Sequence, residues 1–200
     1  MRKIAVTLTA AVFSLTAWAS TPTGDKMEID TKKSKLEWVG EKVTGKHFGT
    51  VDIKKGHFEV DGNKITGGEV HVDMNTINVQ DLKGEDKQKL EGHLKSDDFF
   101  SAEKHQIVKF VIKSPKKEKG LKDGNTHTLK GDLSIKGKTE SVSFPARITM
   151  ENGKLNAYAS FKLDRTRWGI RYGSGSFFDD LGDKTIYDEF QVKFNVEASK

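Results

Sequence analysis

Cysteine is absent from the 200-residue chain, which excludes a disulfide framework, a thiol nucleophile and a lipoprotein attachment site. No stretch after the N-terminus approaches 18 consecutive apolar residues, so no helical membrane span is expected there. Apolar residues are scarce at 34%, and charged residues are abundant at 32%. So low an apolar content fits either disorder or a sheet with one wet face, and the regular alternation described below selects the sheet. The chain also lacks a Gly-x-Ser-x-Gly elbow, a Gly-x-x-x-x-Gly-Lys-Ser/Thr loop and a Gly-x-Gly-x-x-Gly turn. With no nucleophile or acid–base pair to place, the chain does not read as an enzyme.

The six histidines (His47, His57, His71, His93, His105 and His127) form no His-x-x-x-His pair and no tight acidic cluster. Only His57 and His71 can approach each other across a hairpin. No metal and no cofactor are expected.

The N-terminus reads as an export signal. Arg2 and Lys3 precede an uncharged run from Ile4 to Ala17, and Ala17-Trp18-Ala19 forms a small-x-small cleavage site. The expected organisation is a signal peptide over 1–19, cut after Ala19, a flexible mature N-terminus over 20–26, and one domain over 27–200. The expected destination is the periplasm. Losing Arg2 and Lys3 lowers the formal charge from +5 to +3. The densest basic run, Lys113 to Lys122, has no interleaved aromatics, so no nucleic-acid partner is expected. It reads as a solvated loop, with transient membrane-surface contact as the second reading.

From Ser141 onward the alternation is clean. Val142, Phe144, Ala146, Ile148 and Met150 share one face, and Asn152-Gly153 then signals a tight hairpin. Leu155, Ala157, Ala159, Phe161 and Leu163 return, and Phe190, Val192, Phe194, Val196 and Ala198 repeat the pattern. Earlier, Leu36 and Trp38 share a face, and Val51 and Ile53 share another. Phe58 and Val60 then switch parity past Gly56, as at a bulge. Strands through Val70–Met74, Val108–Ile112 and Leu129–Ile135 bring the count to about eight. That number, with turns at hairpin spacing, marks a sandwich or barrel. Asp81 to Leu94 departs from it, with helical spacing weakened by Gly84 and Gly92.

Several inward positions are small: Gly131, Ala146, Ala157, Ala159 and Ala198. Small lumen residues either leave space for a ligand or accommodate the taper of the barrel. Filling such space contributes about 0.8 kcal/mol per methylene, so ten methylenes contribute roughly 8 kcal/mol before association entropy is deducted. His93, beside Leu90 and Leu94, reads as a hydrogen bond fixing the helix, or else as an anchor for a ligand head group. Arg165, in Asp164-Arg165-Thr166-Arg167-Trp168-Gly169-Ile170, reads as a lock on a turn, with head-group contact as the alternative. The run Tyr172-Gly173-Ser174-Gly175-Ser176-Phe177-Phe178 reads as a barrel-mouth loop or a partner surface.

Together these segments resemble the YceI-like family of periplasmic lipocalin-like barrels. The resemblance rests on Trp38, Gly45-Lys46-His47-Phe48-Gly49, Gly67-Gly68 and Val72-Asp73-Met74. It continues through Leu90-Glu91-Gly92-His93-Leu94-Lys95-Ser96 with Asp98-Phe99-Phe100, Lys130 to Gly137, and Asp164-Arg165-Thr166 with Trp168-Gly169-Ile170. It implies an all-β, antiparallel eight-stranded lipocalin-like barrel with a short helical insert, often a homodimer. It also implies a long lumen holding a polyisoprenoid or similar amphiphilic lipid.

On that basis Trp38, Val72, Met74, Phe110, Leu133, Phe144, Ala146, Ala157, Phe161 and Leu163 are expected to line the lumen. Leu94, Phe99, Phe100 and Trp168 are expected to shape its ends, with His93 and Arg165 as candidate head-group contacts. The expected function is a non-catalytic periplasmic carrier for a long apolar ligand. A structural or stress-protective protein with a packed lumen is the alternative. In the carrier reading, Ala157→Phe fills the lumen and lowers lipid uptake.

Overall fold

The structure is a computed structural model and describes residues 24–200. The expected signal peptide lies outside the described residues. Ten strands form one antiparallel sheet: β1 (Asp25–Ile29), β2 (Lys35–Lys42), β3 (Gly45–Asp61), β4 (Lys64–Val79), β5 (Ile107–Ile112), β6 (Lys116–Lys117), β7 (His127–Ile135), β8 (Lys138–Glu151), β9 (Lys154–Asp164) and β10 (Ile186–Ser199). Helix α1 (Gly84–Lys95) sits between β4 and β5.

Eight strands close a barrel in the order β2-β3-β4-β5-β7-β8-β9-β10, because β10 pairs with both β9 and β2. Closure leaves no unpaired edge among these eight staves. β2 covers β3 only as far as Val51, and β1 continues the same stave toward the other end. There Met27 lies opposite Phe58 on β3, and Ile29 lies opposite Ala198 on β10. Asp25 and Lys26, expected to be flexible, are therefore strand residues. Burial of Met27 and Ile29 holds them there.

The period-2 pattern explains the staves. In β8, Val142, Phe144, Ala146 and Ile148 are buried, while Ser143, Pro145 and Arg147 face water. Asn152 (φ +51°) and Gly153 (φ +74°) are both left-handed, the twist that lets a two-residue turn join β8 to β9. In β3 the register with β4 slips between Ile53 and Lys55, just ahead of Gly56, and Phe58 and Val60 thereby rejoin the inner face.

A wider bulge interrupts β4 between Asp73 and Asn78. Thr76 Oγ donates to the Asp73 carbonyl at 2.7 Å and accepts from the Asp52 amide at 2.8 Å. The extra residues let Met74 and Ile77, three apart, both point inward.

α1 starts later than the expected Asp81. The Asp81 carboxylate instead accepts the Phe48 amide at 3.0 Å and meets His47 Nδ1 at 2.7 Å, which ties the end of β4 to β3. α1 buries none of its residues. It is moored by Glu91 Oε1, which accepts the Val79 amide at 2.8 Å, and by Lys87 Nζ, which donates to Asn78 Oδ1 at 2.7 Å.

The two ends of the barrel differ. The end carrying the β8–β9 turn is packed solid with Met27, Val60, Ile65, Leu155, Ala157, Ala159 and Ala198. The opposite end is covered by α1, the segment through Phe99 and Phe100, and the long connection from β9 to β10.

Candidate functional site: an apolar cavity at one end of the barrel

A cavity of about 210 Å³ occupies the upper part of the barrel. Several side chains that point inward are only partly buried, among them Leu36, Val70, Val108, Phe110, Phe161 and Phe194. A side chain aimed at a packed core would be fully enclosed, so these residues are exposed to the void. Trp38 lines the cavity and donates its indole N–H to the Thr50 carbonyl at 3.3 Å, so its one polar side-chain atom is satisfied by the backbone. An apolar void of this kind holds water poorly and hydrocarbon well.

Four phenylalanines form the floor. Phe144 and Phe161 stack at 3.9 Å with their planes 1° apart, and Phe110 and Phe194 pack on Phe144 at 5.4 and 6.0 Å. Along β8 and β9, the residues between this stack and the Asn152-Gly153 turn are Ala146, Ile148, Leu155, Ala157 and Ala159, all below the cavity.

Trp38, Val72, Met74, Phe110, Leu133, Phe144, Phe161 and Leu163, expected on the wall, and Leu94, Phe99 and Phe100, expected at its ends, all line the cavity. Ala146 and Ala157 do not. Both are fully enclosed in the packed end, where the small side chains accommodate the taper and make no space. Gly131 is small for another reason: a Cβ there would run into the Val111 carbonyl and the Phe110 ring. Ala157→Phe would therefore overpack a solid region, contrary to the sequence expectation.

Trp168 also lies off the wall. It is 2% exposed and donates its indole N–H to the Leu133 carbonyl at 2.9 Å, fastening the 165–168 turn to β7. His93 lies outside the cavity, with Nε2 3.3 Å from Asp98 and its ring edge-on to Phe99 (4.9 Å) and Tyr172 (4.6 Å). It pins the end of α1 to the opposing loop. His57 and His71 each meet a carboxylate on their own strand, Glu59 at 3.6 Å and Glu69 at 3.1 Å.

Arg165 is the only charged wall residue among the described residues. Nε donates to the Tyr187 carbonyl at 3.1 Å. Nη1 donates to Ile170 (3.1 Å) and Tyr172 (2.8 Å), and Nη2 donates to Ile186 (2.9 Å) and faces Asp188 at 3.4 Å. Four of its five N–H groups are bound to backbone carbonyls, so the side chain acts first as a clamp on the β9–β10 connection. Burial pushes its pKa below the ordinary value, opposed by Asp188 and then Asp164. A guanidinium remains charged even so.

Further wall residues come from strands whose parity was already plain: Leu36, Val51, Val70, Val108, Val192 and Val196. Ile77 arrives through the β4 bulge, Ile170 through the β9–β10 connection, and Ile186 and Tyr187 from the irregular start of β10. No periodic signal marks those four.

Fold and cavity together define a closed antiparallel eight-stranded barrel of the lipocalin-like type with an apolar cavity toward one end. The chain belongs to the family of the YceI-like domain, whose model matches residues 27–198. It is 28% identical over 152 residues to a UPF0312 protein of Photorhabdus laumondii, covering 76% of this chain and 72% of that one. It is 36% identical over 96 residues to a UPF0312 protein of Shewanella denitrificans, a match to 48% of this chain and 46% of that protein's length. Among solved structures, BcnA of Burkholderia cenocepacia superposes with a TM-score of 0.67 at 21% identity, covering 86% of this chain and 99% of that one. A polyisoprenoid-binding domain from Saccharophagus degradans implicated in plant cell wall breakdown superposes with a TM-score of 0.61 at 12% identity, covering 86% and 97%. These two likenesses are of fold.

Proposed function

We propose that this protein is a non-catalytic carrier that holds the apolar tail of a polyisoprenoid-like lipid in the upper barrel. It works in the periplasm after cleavage behind Ala19, and as a homodimer. The observation that supports the reading is the roughly 210 Å³ void, walled by hydrocarbon and aromatic side chains with a single guanidinium near its mouth. The polyisoprenoid class follows from family membership and from the ligand named for the Saccharophagus domain. The polar end of the ligand lies toward Arg165, where a head group meets the only fixed charge on the wall among the described residues.

The test is organic extraction of natively purified protein followed by mass spectrometry, with intact mass recorded in parallel. A co-purifying lipid with a long hydrocarbon tail, on a chain beginning at Ser20, supports the proposal. A lipid-free protein that cannot be loaded with a polyisoprenoid alcohol from detergent sinks it and favours the structural alternative. A lipid-bound chain that retains residues 1–19 removes the export part alone.

A further inference from the structure

We propose that the aromatic rim of the cavity docks on the surface of a lipid bilayer of low net charge; this rests on the carrier reading. Besides Phe48 on β3, five large apolar side chains are exposed: Val43, Tyr172, Phe177, Phe178 and Tyr187, each between 44% and 51% accessible. They come from distant parts of the chain and meet at one end of the barrel. The Val43 amide donates to the Thr185 carbonyl at 3.1 Å, and the Ile186 amide donates to Gly173 at 2.8 Å. Arg165 holds the carbonyls of both Tyr172 and Tyr187. Phe177 and Phe178 turn back on Ser174, and Arg171 stacks over the Phe177 ring at 4.3 Å. The loop that carries the rings is therefore clamped in place.

Two observations choose the occupant. Tyr187 both lines the cavity and stands in solvent, so the rim and the lumen are one continuous apolar surface. A long-tailed lipid has almost no free concentration in water, so a carrier must meet it at a bilayer. A second copy seated on this rim would instead stopper the mouth. The charge is also balanced: segments 41–46 and 171–185 together carry four cations and four anions. Such a rim gains little from anionic lipid and depends on aromatic insertion at the interface. The basic run around Lys116 and Lys117 lies beside His127, at the packed end, where contact would turn the mouth away from the membrane.

The experiment is vesicle flotation of the protein purified from its host, compared with Phe177→Ser/Phe178→Ser. Vesicles are made of phosphatidylcholine alone or of phosphatidylcholine mixed with phosphatidylglycerol. Both phenylalanines lie off the cavity wall and are exposed, so the variant keeps its fold, which circular dichroism checks. The wild type floats with both vesicle types to a similar extent, and the double variant partitions about a hundredfold less, roughly tenfold per ring. Loading from detergent micelles remains equal in the two proteins. Flotation that needs phosphatidylglycerol, or that survives the double substitution, overturns the docking surface. So does a dimer that forms without vesicles and dissociates in the variant. Failure of both proteins to load from micelles refutes the carrier reading instead, whatever the flotation result.

Discussion

Val108→Trp separates an empty barrel from a full one. Val108 points inward opposite Val72 and is only partly buried because its far side meets the void. Tryptophan adds about seven heavy atoms, which take the place of a similar number of ligand methylenes. At about 0.8 kcal/mol each, that removes roughly 5 kcal/mol of ligand binding, between three and four orders of magnitude. The protein itself pays little, because new contacts form where there were none, and thermal unfolding stays within a few degrees of wild type or rises. Ala157→Phe is the matched control. Its ring enters the packed end, where Ala157 is fully enclosed, and overpacking costs about 1–3 kcal/mol with a lowered Tm. The assay pairs calorimetry with loading of a fluorescent polyisoprenoid from detergent. Val108→Trp destabilised as much as Ala157→Phe, with loading reduced less than about tenfold, would refute the placement of the void.

Arg165→Met leaves four backbone carbonyls without their donor and Asp188 without its ion-pair partner, and is expected to cost about 3 kcal/mol or more in urea unfolding. An unchanged midpoint would mean that the clamp is dispensable. Gly131→Ala drives a Cβ into the Val111 carbonyl and the Phe110 ring, and is expected to destabilise by roughly 2 kcal/mol or more, with Phe110 displaced from the floor. A neutral result would contradict the close approach of β5 and β7. His127 sits at the packed end, where burial, and secondarily Lys117, push its pKa below the ordinary 6.5. The unfolded chain then takes up a proton first, so stability falls as pH drops below about 6.5. In His127→Gln that contribution disappears, and parallel wild-type and variant stability curves between pH 6.5 and 5 would show that the side chain is not buried neutral.

The staves were legible because the side-chain period of a strand is two. Any apolar residue at the right parity in β7 to β10 had to face inward, and the Asn152-Gly153 turn set the register of one pair. The same logic put Trp38, Val72, Met74, Phe110 and Leu133 on the inner face, where they line the cavity. Parity gives the face but not the height along the axis. That is why Ala146 and Ala157 looked like lumen residues and proved to belong to the packed end. Strand β1 escaped notice because five residues, two of them buried, carry too little pattern to register.

The residue order alone therefore determined an antiparallel sandwich or barrel of about eight strands and the identity of its inner face. Tertiary structure alone decided which end is solid and which is hollow. That outcome depends on how β1 completes a stave, how the Phe144–Phe161 stack forms a floor, and how Arg165 draws the β9–β10 connection over the mouth. Each of these joins residues far apart in the chain, whereas alternation is a local property, so no reading of periodicity can contain them.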